Sequence, residues 1–514
     1  MLVVSLAAVA CWVGLYRWYG LFENRNNTHF AFEKVPGQFD SPVLRRTLAL
    51  FIAVSVLYAV GYWVIRRAPR VSRAIKLGVA VSVLGPGAIN VILYPVGALD
   101  VFNYMIEIKL AYHYDVNPYL ETFKAFRRDS FALPAFLVDT RLFYGPVWLL
   151  VSWLPGAVVG YTDVIQSLLA MKVLNAVLLG LTGLAIYRYH GKDERRRWLA
   201  VYAFLANPLI LFEGLANAHN DVMMTCFLVG ALVALRGRSG LAGALLAASA
   251  LVKFFTAALA PLFVLVVLLR RWSPRRILVA VGLTAVTVVL ACAPFWAGGR
   301  MVDGLRKGTE ASQQMDHVSV YSLAQQYERR QEIAELTRKD PKVALAKNYL
   351  ASRKLSPEAK ERLQRIFIGI FAVVGLLLLV GLRRGRPPEA VAVDTLILFS
   401  LLLTNLYPWY LIPVIAVLAL RRDRIGTGYL LVGTVLGLAY YPFYVWAHFN
   451  SGWEKFHVHL FLALFLTVPM LGYLVAEVGR WGVGAVLLRQ RAGRESEVTE
   501  ARAMSRRTSA TSSL

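Results

Sequence analysis

"LGVAVSVLGPGAINVILYPVGALDVFNYMIEIKLAYHYDVNPY", residues 77–119, decides how this chain must be read. Its first half, 77–97, is apolar enough to cross the ~30 Å of hydrocarbon in a bilayer. A single carboxylate, Asp100, follows at once, then an amphipathic stretch, then an Asn-Pro-Tyr turn. Working outward, apolar runs of about 17–22 residues recur along the 514-residue chain, which is 57% hydrophobic and only 17% charged. The composition predicts an all-α polytopic membrane protein. The run Leu2–Leu15 lacks a basic leader and an Ala-x-Ala cleavage site, so it is expected to remain as a helix. Cys11, Cys226 and Cys292 lie in separate apolar runs and read as small buried residues.

The net charge of +25 raises the question of nucleic acid, but its distribution argues against that partner. Arginine and lysine cluster in short loops: Arg66, Arg67, Arg70, Arg73 and Lys76; Arg188, Lys192 and Arg195 to Arg197; Arg270, Arg271, Arg275 and Arg276; Arg383, Arg384 and Arg386; Arg421, Arg422 and Arg424. Short basic loops mark the cytoplasmic side of a membrane. With those loops inside, spans near 2–19, 46–65 and 77–97 put the N-terminus inside and Asp100 outside.

Parity settles much of the rest. One net crossing must separate the outer loop at 98–140 from the inner loop at 188–197, so the proline-containing segment 143–159 is read as a half-helix and 165–187 as the span. Spans at 199–214 and 220–236 follow, then 241–270 as an outward hairpin turning near Lys253 to Thr256. Spans near 277–297, 366–382, 391–405, 408–420, 427–446 and 457–478 bring the total to about fourteen crossings, some short or re-entrant. One membrane module thus occupies 1–488, with large outer loops at 98–140 and 298–364. The Ser/Thr/Arg-rich tail at 489–514 is expected to be a disordered cytoplasmic segment.

On this topology the unusual polar residues collect at one side: Asp100, Asn117, Tyr144, Glu213, Asn217, His219, Asn220, Asp221, Lys253, Tyr407 and Trp409. Ionisable groups at membrane depth are costly and mark function. Asp100, Tyr104 and Glu107 share a helical face opposite a broad apolar one, as in a helix lying on the membrane surface; Asp100 could equally be its N-cap. "NPLILFEGLANAHNDVMM" (207–224) places Glu213 about one turn inside a span, where a charge needs a partner, although Asn, His and Asp are also ordinary turn residues. His219 and Asp221 alone are too few for a metal site. Lys253 lies thirteen helical residues, about 20 Å, from the inner loop. Its ammonium is either a snorkelling anchor or the counter-ion of an anionic lipid. Lys172, in the outer half of its span, is a second such cation. "FYGPVW" (143–148) and "NLYPWYLIP" (405–413) are aromatic-proline breaks of the kind found in interfacial belts.

In their order along the chain, "DVFNY…NPY" (100–119), "YGPVW" (144–148), "NPLILFEGLANAHNDVMM" (207–224), "ALVKFFTAALAPL" (250–262) and "YPWYL" (407–411) resemble polyprenyl-phosphate-mannose-dependent mannosyltransferases. These are integral membrane glycosyltransferases of the GT-C superfamily, like those building bacterial lipomannan-type glycans. The resemblance covers roughly 94–270 and the stretch near 407. It implies a GT-C-like fold, an essential aspartate in the first outer loop (here Asp100) and a lipid-linked sugar donor used without a nucleotide. Two spans precede the one leading to Asp100, where the plainest arrangement has none. The nearest further acids, Glu107 and Asp115, are not adjacent to Asp100, so a divalent cation is left open.

The residues present suit that chemistry. Transfer from a polyprenyl phosphate to an alcohol expels a good leaving group, so one general base and one cation for the departing phosphate suffice. Asp100 is the expected base. Lys253 is the expected phosphate partner, with His219, Asn220, Asp221, Tyr144 and Lys172 as further donor-binding candidates. A single carboxylate acting in direct displacement would invert the anomeric carbon. The expected partners are the polyprenyl-phosphate-linked sugar, a hexose with mannose expected, a glycan or glycolipid acceptor, and membrane lipids. The setting is the outer face of a prokaryotic cytoplasmic membrane. A transporter or lipid-linked sugar flippase is the rival reading; such proteins commonly carry inverted repeats and midplane polar breaks, and this chain shows neither. A non-catalytic assembly subunit is a third.

Overall fold

The computed structural model describes residues 1–25, 41–312, 318–339, 355–421 and 423–480. Within them the chain is helical, with one isolated β-bridge between Gly20 and Leu93. The first half runs α1 (Leu2–Tyr19), α2 (Ser41–Arg67), α3 (Arg73–Val91), α4 (Asp100–Tyr112), α5 (Pro146–Val159), α6 (Val164–Tyr189), α7 (Glu194–Leu205) and α8 (Pro208–Ala216). The second half runs α9 (Asp221–Arg236), α10 (Leu241–Ala250), α11 (Phe254–Leu269), α12 (Pro274–Phe295), α13 (Arg300–Ser312) and α14 (Val320–Lys339). It ends with α15 (Pro357–Arg383), α16 (Pro388–Leu402), α17 (Pro408–Leu420), α18 (Arg424–Asn450) and α19 (Lys455–Arg480).

Eight of the described helices are long and apolar enough to cross a membrane: α1, α2, α3, α6, α12, α15, α18 and α19. The α7–α8 pair, bent by 48°, makes a ninth if it is one span. The other segments behind the expected fourteen crossings are shorter, from the 10 residues of α10 to the 16 of α9. At 1.5 Å per residue they reach about 15–24 Å, less than the hydrocarbon thickness. The tail at 489–514 and part of the loop at 298–364 lie outside the described residues.

Helix ends follow from local chemistry. The Asp163 side chain accepts from Gln166 N at 2.7 Å to start α6, and Asp193 does the same for α7 through Arg196 N at 3.0 Å. Pro146, Pro208 and Pro274 occupy first-turn positions, where a missing N–H costs nothing. Leucines and valines on the outside of the bundle, such as Leu84, Leu278 and Val475, are exposed and suit contact with lipid.

Two expectations are corrected here. The first is the surface helix. Residues Val101–Leu110 of α4 are buried on every side, because the loop at 113–142 folds over it. Asn103 Oδ1 accepts from Phe136 N (2.9 Å) and Leu137 N (3.0 Å), and Lys109 pairs with Asp129 at 2.7 Å. Asn103 Oδ1 and Lys109 are thus met by the protein's own loop instead of water. The second concerns the arginines. Arg386 and Arg421 are more than topological markers: both are buried in a network with Asp394 (2.5 Å to Arg386), Glu477 (3.3 Å to Arg386, 3.0 Å to Arg421) and Asp423 (2.8 Å to Arg421). This network locks α16, α17, α18 and α19 together at the end of the bundle far from Asp100.

Candidate active site

At the other end, a cavity of about 380 Å³ opens between the N-terminus of α4, the α10–α11 break, α13 and the start of α17. Asp100, Tyr144 and Lys253 line it with Tyr407, Trp409 and Tyr410. On the α13 side, Thr309 and Ser312 close it.

Lys253 reaches the cavity because the hairpin is broken there. α10 ends at Ala250, Lys253 is extended (φ −150°, ψ 124°), and helical geometry resumes at Phe254. Ser249 pins the break, sharing a hydrogen bond with Thr256 Oγ1 (2.9 Å) and donating to Met224 O (2.8 Å). The aromatic-proline break "YGPVW" clamps the same strand of backbone. Gly145 N donates to Val252 O and Val147 N to Leu251 O, both at 3.0 Å. A Cβ on Gly145 would stand 2.0 Å from Leu251 O, so only glycine permits this approach. Two motifs that are far apart in sequence are therefore one piece of structure.

The Lys253 ammonium, by sequence a snorkelling anchor or a lipid counter-ion, has a protein partner: Nζ donates to both Asp221 oxygens, at 2.9 and 3.0 Å, and stands 4.4 Å from the Tyr410 ring centre. Asp221 is fully buried, whereas the lysine side chain keeps 15% of its surface exposed, on the cavity wall. The pairing arises because Asp221 opens α9, which packs along α10. A bidentate carboxylate holds the ammonium in place and leaves one N–H free of it.

Asp100 is the first residue of α4, and Leu99 holds the N-cap position with no side-chain capping bond. The capping role weighed above is not the one seen. Its carboxyl faces the cavity, where burial raises its pKa above the ordinary aspartate value, against the opposing pull of His219 and Lys253. Glu107, two turns along the same helix, is buried with neither oxygen hydrogen-bonded among the described residues; burial, then the Asp100 charge, pushes its carboxyl well above the usual range.

The 207–224 stretch forms a wall behind the cavity instead of its lining, contrary to the expectation for His219, Asn220 and Asp221. Asn207 caps α8, the chain makes a π-turn over Phe212–Ala216, and Ala218 takes a positive φ of 55°. His219 stacks on Trp409 with centroids 4.2 Å apart, and Trp409 stacks on Tyr407 at 4.4 Å. His219 thus acts on the cavity through the aromatic pair. Asn220 is fully buried, and neither of its side-chain polar atoms has a hydrogen-bond partner among the described residues. Glu213 finds the partners its depth demands: Tyr441 Oη at 2.5 Å, Asn217 Nδ2 at 3.0 Å and His219 Nε2 at 3.3 Å. Asn217 Oδ1 in turn accepts from Gly97 N at 3.0 Å, three residues before Asp100. Glu213 and Asn217 therefore position the loop that presents the carboxylate.

The remaining candidates lie apart. Asn117 builds its own turn, accepting from Tyr119 N (3.1 Å) and donating to Phe295 O (3.0 Å). Lys172 is fully buried and donates to Leu93 O, away from the cavity lining. Three contributors escaped the sequence reading. Tyr441 sits in an aromatic run with nothing to mark it, and Gly145 lies in a stretch that resembles an interfacial belt. Asn175, whose Nδ2 donates to Gly214 O (2.9 Å) and His219 O (3.0 Å), was signalled only by its polarity within a span. Among the described residues, no three His, Cys, Asp or Glu side chains are grouped to hold a metal.

Comparison with known families gives two matches, each covering slightly more than half of the chain. Residues 6–270 match the alpha-(1->6)-mannopyranosyltransferase N-terminal domain, and residues 142–405 match glycosyltransferase family 87. No curated protein matches the chain. The two matched regions overlap over the 207–224 wall and the Lys253 break and between them take in Asp100, Tyr144 and Lys253 of the cavity lining, while Tyr407, Trp409 and Tyr410 lie beyond both. The chain belongs to the mannosyltransferase-type glycosyltransferases that these two families describe.

Proposed function

We propose that this protein transfers mannose from a polyprenyl-phosphate donor to a hydroxyl of a glycan or glycolipid, with inversion, on the outer face of a prokaryotic cytoplasmic membrane. The observation that carries this reading is the convergence of Asp100 and the Lys253–Asp221 pair on one aromatic-walled cavity in a chain rich in membrane-length helices. Asp100 takes the proton of the acceptor hydroxyl as its oxygen bonds to the anomeric carbon. The bond from that carbon to the phosphate oxygen breaks, and its electron pair leaves with the lipid phosphate. Lys253, charged and oriented by Asp221, offers its remaining N–H to that phosphate, where charge grows toward the transition state. Tyr407, at the end of the His219–Trp409–Tyr407 stack, supplies a flat face for a pyranose ring. Membership of a glycosyltransferase family favours this reading over a transporter or flippase.

In this scheme the basic loops and both termini are cytoplasmic. The test is donor choice. Purified protein should move radiolabelled mannose to a mannan acceptor from polyprenyl-phosphate mannose and not from a nucleotide-linked mannose. Transfer from the nucleotide sugar alone would overturn the proposal.

A further inference from the structure

At the end of the bundle far from Asp100, a second cavity of about 230 Å³ lies between α2, α7 and the α17–α18 junction. Arg66, Arg195, Arg196 and Arg421 face it from three different elements, with His190 beside them. Among the described residues of its lining, Asp423 is the one carboxylate.

Pairing does not neutralise this charge. Arg196 is 2.5 Å from Asp193, and Arg421 is held by Asp423 at 2.8 Å and Glu477 at 3.0 Å. Arg66 and Arg195 have no carboxylate partner among the described residues; Arg195 donates a 3.5 Å hydrogen bond to Ala68 O. Two guanidinium groups are thus left over at a concave site. Arg421 is 7% exposed and fixed by its acidic partners, so one wall is rigid before any ligand arrives. Polar groups continue inward, where Tyr62 Oη and Thr427 Oγ1 lie 3.3 Å apart, and Leu199, Leu418 and Leu430 form an apolar floor. An electropositive rim above an apolar floor at a helix-bundle end matches a phosphate carried by a lipid. Arginine forks suit phosphate oxygens better than any neutral group.

We infer that this cavity binds a phosphate group, and that anionic phospholipid headgroups supply it. The site is separate from the sugar-transfer cavity and does not depend on the function proposed above.

The test uses the full chain in nanodiscs of phosphatidylcholine, titrated with phosphatidylglycerol, with bound lipid counted by native mass spectrometry. A parallel arm adds inorganic phosphate without the anionic lipid. Wild type should retain phosphatidylglycerol selectively. The Arg66→Gln/Arg195→Gln double variant, which alters only exposed side chains, should weaken that binding about thirtyfold, since each arginine near a headgroup contributes about one kcal/mol. Saturable binding of inorganic phosphate that the double variant loses, without lipid selectivity, would keep the site and assign it to free phosphate. Equal retention of both lipids by wild type and variant, with no phosphate binding, would overturn the inference.

Discussion

Replacing Lys253 by methionine separates two roles that the structure merges. The ammonium sits 2.9 and 3.0 Å from the oxygens of a carboxylate with no exposed surface. At an effective dielectric near 20, a pair at this distance attracts by roughly 5–6 kcal/mol before desolvation is counted. Removing one partner of a buried pair typically costs about 3–5 kcal/mol, because the other charge is stranded. Lys253→Met should therefore destabilise the protein by an amount in that range, read as the shift in an SDS unfolding titration of reconstituted protein. Adding Asp221→Asn removes the stranded charge and should return most of the loss. Activity should behave differently. If Lys253 meets the donor phosphate, both the single and the double variant should show a raised donor KM and a lowered kcat, with acceptor KM nearly unchanged. Recovery of transfer together with stability in the double variant would refute the phosphate role and leave the pair purely structural. Lys253→Arg, which keeps the charge, should recover part of the activity.

Gly145→Ala should lower transfer strongly and reduce stability, because its Cβ would fall 2.0 Å from Leu251 O and push away the strand carrying Lys253; alanine at Gly180, where a Cβ meets nothing within 4 Å, is the control. Near-normal activity of Gly145→Ala would mean that the clamp is dispensable. Glu107→Gln should stabilise the protein increasingly as pH rises. A carboxyl whose folded pKa is raised adds stability below its unfolded pKa, near 4.3, and loses it as pH climbs through the folded value. The amide does not titrate, so the melting temperature of the variant minus that of wild type should grow from pH 5 to pH 8. Asp100, Tyr119 and Tyr144 are the titratable neighbours that share this environment. A constant difference across that interval would show that Glu107 is ionised in the folded protein throughout.

The membrane-length helices and the breaks between them were legible in sequence because apolar length and proline position are local signals. Lys253 appears at the hairpin break where parity requires a turn, and Asp100 opens the helix after the third span. What sequence could not show was which element covers which. α4 looks amphipathic in isolation, yet Asn103 and Lys109 are satisfied by a loop up to 34 residues away. The same limit hid the partner of Lys253, since Asp221 stands 32 residues earlier. It also made His219 look like a ligand of the cavity when its ring lies behind Trp409. The depth of Glu213 in its span calls for a partner, but Tyr441, 228 positions on, carries no mark in sequence of being that partner.

The central claim is that Asp100 is the base. It is tested most directly by measuring mannose transfer from polyprenyl-phosphate mannose by wild type and Asp100→Asn across a pH series. Wild-type activity should fall on the acid side through a pKa above the ordinary aspartate value of about 3.9, because burial raises it and protonation removes the base. Asp100→Asn should fold and insert normally yet lose about 10²–10⁴-fold in kcat, with that acid limb gone. An Asp100→Asn protein that keeps near wild-type turnover and the same acid limb would contradict the account.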